Sequence, residues 1–254
     1  MLITTVNGIK LAYERFGHGT PLVLIHGYPL DHTIWKQVVP LLENDYDLIL
    51  PDLRGFGQSG TSRPFYSMAD MAADLAALLY SLKIEKAVIA GHSMGGYIAL
   101  AFARASPERV LGLGLVASQP LADTPEKKAG RYQEAEHVLA HGVEEVAKGM
   151  STRLTADPVL QTRLKELMHQ QHPEGVSGAL RAMADRLDST DILSGFNFPV
   201  AIIHGLEDKI IPIERARDVQ AVVKIGTLFE IEGVGHMPMM EAPQITAKAL
   251  NTLL

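Results

Sequence analysis

Apolar positions along this chain fall into two alternating kinds of run. Short, nearly continuous runs occur at Pro21–Ile25, Tyr46–Leu50, Lys86–Gly91, Val110–Val116, Pro199–His204 and Gly226–Ile231. Their length and composition predict strands, most of them buried on both faces. Between them, apolar residues recur three and four positions apart, the spacing of a helix face. Asp31 caps a predicted helix that buries Ile34, Trp35, Val38, Val39, Leu41 and Leu42. Ser67 caps another over Met68–Leu82, and two more are predicted over Ser93–Ala105 and Glu241–Leu254. At the start, Leu2–Val6 and Ile9–Phe16 flank Asn7-Gly8, a dipeptide suited to a two-residue hairpin turn. Strands alternating with helices predict a mostly parallel sheet covered on both faces. The hairpin would add antiparallel strands at one edge.

The alternation is interrupted once. From Pro120 to about Gly195 the chain is helical, charged and methionine-containing, with no convincing strand. The pattern predicts one α/β core domain, residues 1–119 and 196–254, with a helical cap, residues 120–195, inserted in it. A length of 254 residues fits one such domain with an insert.

Composition removes several function classes. Apolar residues make up 47% of the chain, so it can build a core. Net charge is −6 with lysine and arginine scattered, which is no footprint for nucleic acid. Cysteine is absent, which excludes disulfides, thiolate metal sites and a cysteine nucleophile. The N-terminus lacks a basic stretch followed by a long apolar one, so no signal peptide is expected. No apolar run reaches membrane-spanning length. A soluble cytoplasmic protein is the expectation, with its oligomeric state open.

The chemistry concentrates at Gly91-His92-Ser93-Met94-Gly95, between a strand and a helix. A serine at the tip of so sharp a turn needs neighbours without bulk two residues to either side, and Gly91 and Gly95 meet that need. The helix that follows offers free N–H groups and the positive end of its dipole to developing negative charge.

This segment resembles the nucleophile elbow of the α/β-hydrolase superfamily, and the resemblance runs over nearly the whole chain. It implies a mostly parallel twisted sheet with helices on both faces and a helical cap. It also implies the chain order nucleophile, acid, histidine, each after a strand. His204-Gly205-Leu206-Glu207-Asp208 resembles the acid turn, and Gly233-Val234-Gly235-His236 the histidine loop. The resemblance therefore assigns Ser93 as nucleophile, Asp208 as orienting acid and His236 as base. Glu207 is a rival next door, and Asp123 a rival after the preceding strand. The implied oxyanion donors are the backbone N–H groups of Tyr28, after His26-Gly27, and of Met94. His26, His92 and the loop Asp52-Leu53-Arg54-Gly55-Phe56-Gly57-Gln58-Ser59 are expected to be architectural, and His204 to support Asp208. Tyr28, Met237 and Met239 are expected to wall the substrate pocket, and Met150, Met168 and Met183 to be mostly core. His137 with His141, and His169 with His172, read as solvated helix faces rather than metal ligands.

The implied activity is hydrolysis of small to medium carboxylic esters through an acyl-Ser93 intermediate, with no organic cofactor or metal. Relatives with aspartate at the elbow attack carbon with a carboxylate, whereas a serine directs attack at a carbonyl. Lactone or carbon–carbon bond hydrolysis with the same triad stays open. So do perhydrolysis, suggested by Pro29 after Tyr28, and a non-catalytic ligand receptor on the same fold.

Overall fold

The structure, a computed structural model, describes residues 1–61 and 65–254. Its strands are β1 (Leu2–Val6), β2 (Ile9–Gly17), β3 (Thr20–Ile25), β4 (Tyr46–Pro51), β5 (Ala87–His92), β6 (Val110–Val116), β7 (Val200–Gly205) and β8 (Gly226–Ile231). They form one sheet in the order β1-β2-β4-β3-β5-β6-β7-β8. β1 pairs with β2, and β2 with β4, antiparallel. Every later pairing is parallel. The chain moves outward from β3 to β4, then crosses to β5 on the other side of β3. Such a reversal opens a crevice at the carboxyl ends of the strands, where ligands bind in open α/β sheets.

Alternate residues of the parallel strands feed two cores. Val23, Ile25, Ile89, Leu113 and Ile202 face one side, with Leu75, Leu78, Ile98 and Phe102 packed on them. Leu22, Leu24, Val88, Ala90 and Ile203 face the other, against Trp35, Ala247 and Leu250.

The helices are α1 (Val39–Leu42), α2 (Met68–Ser81), α3 (Met94–Ala105), α4 (Pro125–His141), α5 (Glu144–Leu154), α6 (Pro158–His169), α7 (Pro173–Ala184), α8 (Thr190–Leu193), α9 (Glu214–Val222), α10 (Pro238–Glu241) and α11 (Pro243–Leu250). Ser67 and Asp70 cap α2 reciprocally, each side chain bonding the other's backbone N–H. Five of the helices, α4 to α8, stand between β6 and β7 with no strand among them.

One predicted helix is broken and another has shifted bounds. The segment after Asp31 is a short 3-10 turn, His32–Trp35, followed by α1. Pro40 has no N–H to donate to the preceding turn, so a continuous helix cannot run through it. Leu41 consequently faces solvent rather than the core. The predicted C-terminal helix starts two residues late, at Pro243, as α11 behind the short α10, and ends in a 3-10 turn at Asn251–Leu253. Helix α9 has no counterpart among the predicted elements. It buries only Ala216 and Val219, a stripe too weak to stand out in the sequence.

No helix among the described residues is long and apolar enough to cross a membrane.

Candidate active site

Because β3, β5, β6, β7 and β8 run parallel, the residues just past their ends share one rim of the sheet. Ser93 follows β5 with φ 51° and ψ −111°, a conformation an L-residue holds only under constraint. Several contacts supply that constraint. The Ser93 N–H donates to the Val116 carbonyl at 2.8 Å. The Ser93 carbonyl accepts from the Ser118 hydroxyl at 2.8 Å and from the Gly96 N–H at 2.9 Å. A Cβ on Gly91 would lie 2.1 Å from the Gly95 backbone, and one on Gly95 2.5 Å from the Ile25 carbonyl oxygen. The elbow thus excludes any side chain at either position. Met94 opens α3, so its N–H has no acceptor within the helix.

His236 follows β8 and is buried. Its Nδ1–H donates to Asp208 Oδ2 at 2.7 Å, which fixes the tautomer and leaves Nε2 as the ring's acceptor. The backbone around it is held from two sides. The His236 N–H donates to the Leu154 carbonyl at the end of α5, at 2.8 Å. Glu241 Oε2 accepts from the Gly235 and Met237 N–H groups, each at 3.1 Å. Thr155 donates to the other oxygen of Glu241 at 2.6 Å.

Asp208 lies three residues past the end of β7, its side chain buried. Its Oδ1 accepts the N–H groups of Ile210 at 2.8 Å and Ile211 at 3.1 Å. Burial opposes its ionisation. The facing His236, a hydrogen bond from His204 and the Ile210 N–H outweigh that, and hold the carboxyl well below the usual range. His204 Nε2 lies 3.3 Å from Asp208 Oδ2 and 2.8 Å from the Ile211 carbonyl, so it braces the same turn. Glu207 is exposed, with no bond to His236. Asp123 is drawn into a different cluster, within 2.8 Å of Arg186 and paired with Arg131 and Lys127.

The loop after β3 carries Tyr28, joined to Pro29 by a cis peptide bond. His26 pins this loop. It accepts the Leu53 N–H at Nε2, 2.9 Å, and its Nδ1 lies 3.0 Å from the Gly27 carbonyl. Asp52 is enclosed in the neighbouring loop, accepting from His32 and from the Gln58 N–H at 2.9 Å. Arg54 forms a bidentate, buried pair with Asp74 at 2.6 and 2.7 Å. These residues are architecture, as expected.

His92 is buried and stacks edge-on against His236, ring centroids 4.9 Å apart. Its Nε2–H donates to the His236 carbonyl at 2.8 Å. Burial, with His236 adjacent, pushes its pKa down to about 3. A histidine in the unfolded chain titrates near 6.5. Between those values the unfolded chain binds a proton that the folded chain refuses. The stabilisation is therefore complete above about pH 6.5 and is lost as pH falls towards 3. At pH 4 the loss from this one residue is on the order of 3 kcal/mol. His92→Gln keeps an N–H donor and removes the titration. Urea unfolding should give a shallower loss of stability between pH 7 and 4 in the variant. An unchanged slope would remove His92 as its source.

A cavity of about 400 Å³ opens over Ser93 and His236, with Tyr28, Tyr97, Leu154 and Ile210 in its walls. Met183 and Met150 also line it, although the sequence suggested core. The opposite correction applies to Met237 and Met239. Neither lines the cavity, and both are fully buried with Trp35 and Leu250 on one face of the sheet. The chain turns into α10 directly after His236, which carries these two side chains under the sheet instead of into the pocket.

Among the described residues, one group could gather a cation: Asp31, His32 and Asp52, their ligand atoms within 4.8 Å of one another. Its oxygens already accept from Thr33, His32 and Gln58 as part of the loop architecture. Each predicted histidine pair faces a carboxylate. His137 lies 2.8 Å from Glu145, and His169 2.8 Å from Glu144.

The chain is similar to known proteins in sequence and in fold. Residues 20–136 match the family model described as alpha/beta hydrolase fold. The structure of a thermophilic esterase from Thermogutta terrifontis, malate bound, superposes with a TM-score of 0.94 at 36% identity, covering 98% of this chain and 95% of that one. The AB hydrolase superfamily protein YisY of Bacillus subtilis (strain 168) is 30% identical, over 92% of this chain and 91% of that protein. The dihydrolipoyllysine-residue acetyltransferase component of the acetoin cleaving system of Pseudomonas putida is 34% identical over 94% of this chain. The chain spans 65% of that protein's length. This chain belongs to the α/β-hydrolase family, and its general class is that of a hydrolase.

Proposed function

We propose that the protein hydrolyses carboxylic esters of small to medium size, using Ser93 as nucleophile, His236 as base and Asp208 as orienting acid. What supports this is one juxtaposition. A strained, glycine-flanked Ser93 shares a cavity with a histidine whose far nitrogen is held by a buried, ionised carboxylate.

Neutral His236 takes the Ser93 proton as Oγ attacks the ester carbonyl. The carbonyl oxygen becomes an oxyanion, stabilised by the N–H groups of Tyr28 and Met94. The tetrahedral intermediate collapses, and the alcohol leaves with the proton that His236 returns. Water then attacks the acyl-Ser93 carbonyl, its proton passing to His236. Collapse releases the carboxylic acid, and Ser93 regains its proton. Throughout, Asp208 stays ionised, stabilises the imidazolium and fixes its tautomer.

A cavity of about 400 Å³ fits a small ester. The helices of residues 120–195 would form its lid as an inserted cap. The test is a panel of p-nitrophenyl esters from acetate to laurate, with simple lactones and thioesters beside it. Turnover should peak at short to medium acyl chains. A purified protein that binds these compounds and turns over none of them would be a ligand receptor instead.

A further inference from the structure

The wall of the cavity formed by α4 and α5 is densely charged. Lys127, Arg131 and Glu134 follow at helical spacing on one face of α4, and Arg153 stands near the end of α5. Behind them, Asp123 is buried under Arg186, Arg131 and Lys127. That cluster gathers four cations against two carboxylates, in a chain whose net charge is −6. Arg131 gives only its Nε–H to Asp123, which leaves the guanidinium's other donors for a further acceptor.

Two further observations bear on a negatively charged acceptor at this wall. Tyr28 lines the same cavity, its buried hydroxyl has no hydrogen-bond partner, and Glu134 and Arg131 are the charges that act on it most. A buried phenol without a partner sacrifices a hydrogen bond that a ligand oxygen could restore. Glu134 has its pKa raised by burial, against the pull of Arg131, Arg153 and His137.

Resting on the ester-hydrolase reading, we propose that the preferred substrates carry a second, ionised carboxylate, held by Lys127, Arg131 and Arg153 with the Tyr28 hydroxyl while Ser93 attacks the ester. Half-esters of short dicarboxylic acids and carboxylate-bearing lactones have this form. The charge selects by attraction where the anion approaches the mouth, and by a direct hydrogen bond once it is desolvated.

The experiment compares substrates matched in length but differing in charge. Mono-p-nitrophenyl glutarate is set against p-nitrophenyl pentanoate, which places the charge on the acyl side. Carboxymethyl butyrate is set against ethyl butyrate, which places it on the alcohol side. The readout is the ratio of kcat/KM, charged over neutral, at an ionic strength of about 10 mM, where screening is weak. For at least one pair, Lys127→Gln and Arg153→Gln should each lower the ratio by about threefold to tenfold. Both residues are exposed, and because Lys127 also pairs with Asp123, a thermal melt of each variant separates charge from folding. Glu134→Gln should raise the same ratio by a similar factor. Added salt should lower the wild-type ratio. General damage to the site would move all three variants the same way, so the opposite sign of Glu134→Gln distinguishes charge selection. Ratios unaltered in all three variants, or altered in one direction by all of them, overturn the proposal. Failure to turn over any ester overturns the underlying reading as well.

Discussion

Ser93→Ala is expected to lower ester turnover by on the order of 10⁴–10⁶ in kcat, leaving little more than the activity of an empty, polar cavity. The reason is local to the elbow. Alanine has no oxygen to form the acyl intermediate, so His236 has no hydroxyl to deprotonate. Folding should survive the change. The strained backbone of Ser93 is held by Val116, Gly96 and Ser118 through its own N–H and carbonyl, not through its hydroxyl. The measurement is initial rate on the best ester of the panel, with a thermal melt beside it. A variant that melts like wild type and keeps turnover within tenfold would remove Ser93 as the nucleophile.

Asp208→Asn should lower kcat by about 10⁴-fold. The amide carries no charge to stabilise the imidazolium. It can also present an N–H to Nδ1, which would turn the ring to the tautomer with its acceptor on the wrong nitrogen. Asp123→Asn is the matched control, because the sequence allowed Asp123 the same role. Asp123 is committed to Arg186, Arg131 and Lys127. Its change should cost kcat at least a hundredfold less than Asp208→Asn does, with its effect on KM for charged esters. The reverse order, with Asp123→Asn the inactive variant, would reassign the acid. Both variants need a stability measurement. Asp123 is a buried carboxylate facing cations, and removing one partner of such a cluster is destabilising by about 3–5 kcal/mol.

The sequence by itself determined what local rules govern. Continuous apolar runs marked the central strands, and Asn7-Gly8 the hairpin, because strand burial and turn geometry depend on a few adjacent residues. Gly91, Ser93 and Gly95 announced the elbow for the same reason: a Cβ at either glycine would collide with the backbone beside it. Loops after strands carried the candidates Asp208 and His236, since parallel strands bring their ends to one rim. Prolines were legible too. Pro40 stood inside a predicted helix that its missing N–H broke, and Pro243 marks where α11 begins. Only the tertiary structure decided which side chains meet across long stretches of chain. Glu241 and Leu154 hold the backbone around His236, and Ser118 holds Ser93, through contacts between elements far apart in sequence. The methionines make the same point. Hydrophobicity told that Met183 and Met237 avoid water, but not that one would wall the cavity and the other lie under the sheet. That choice depends on where α7 and α10 come to rest against the sheet, which no short-range pattern encodes. The charges of Lys127, Arg131 and Glu134 fell in a segment that was legible only as helical and charged. Their role was not legible, because a charged face turned to solvent and one turned to a cavity share the same spacing.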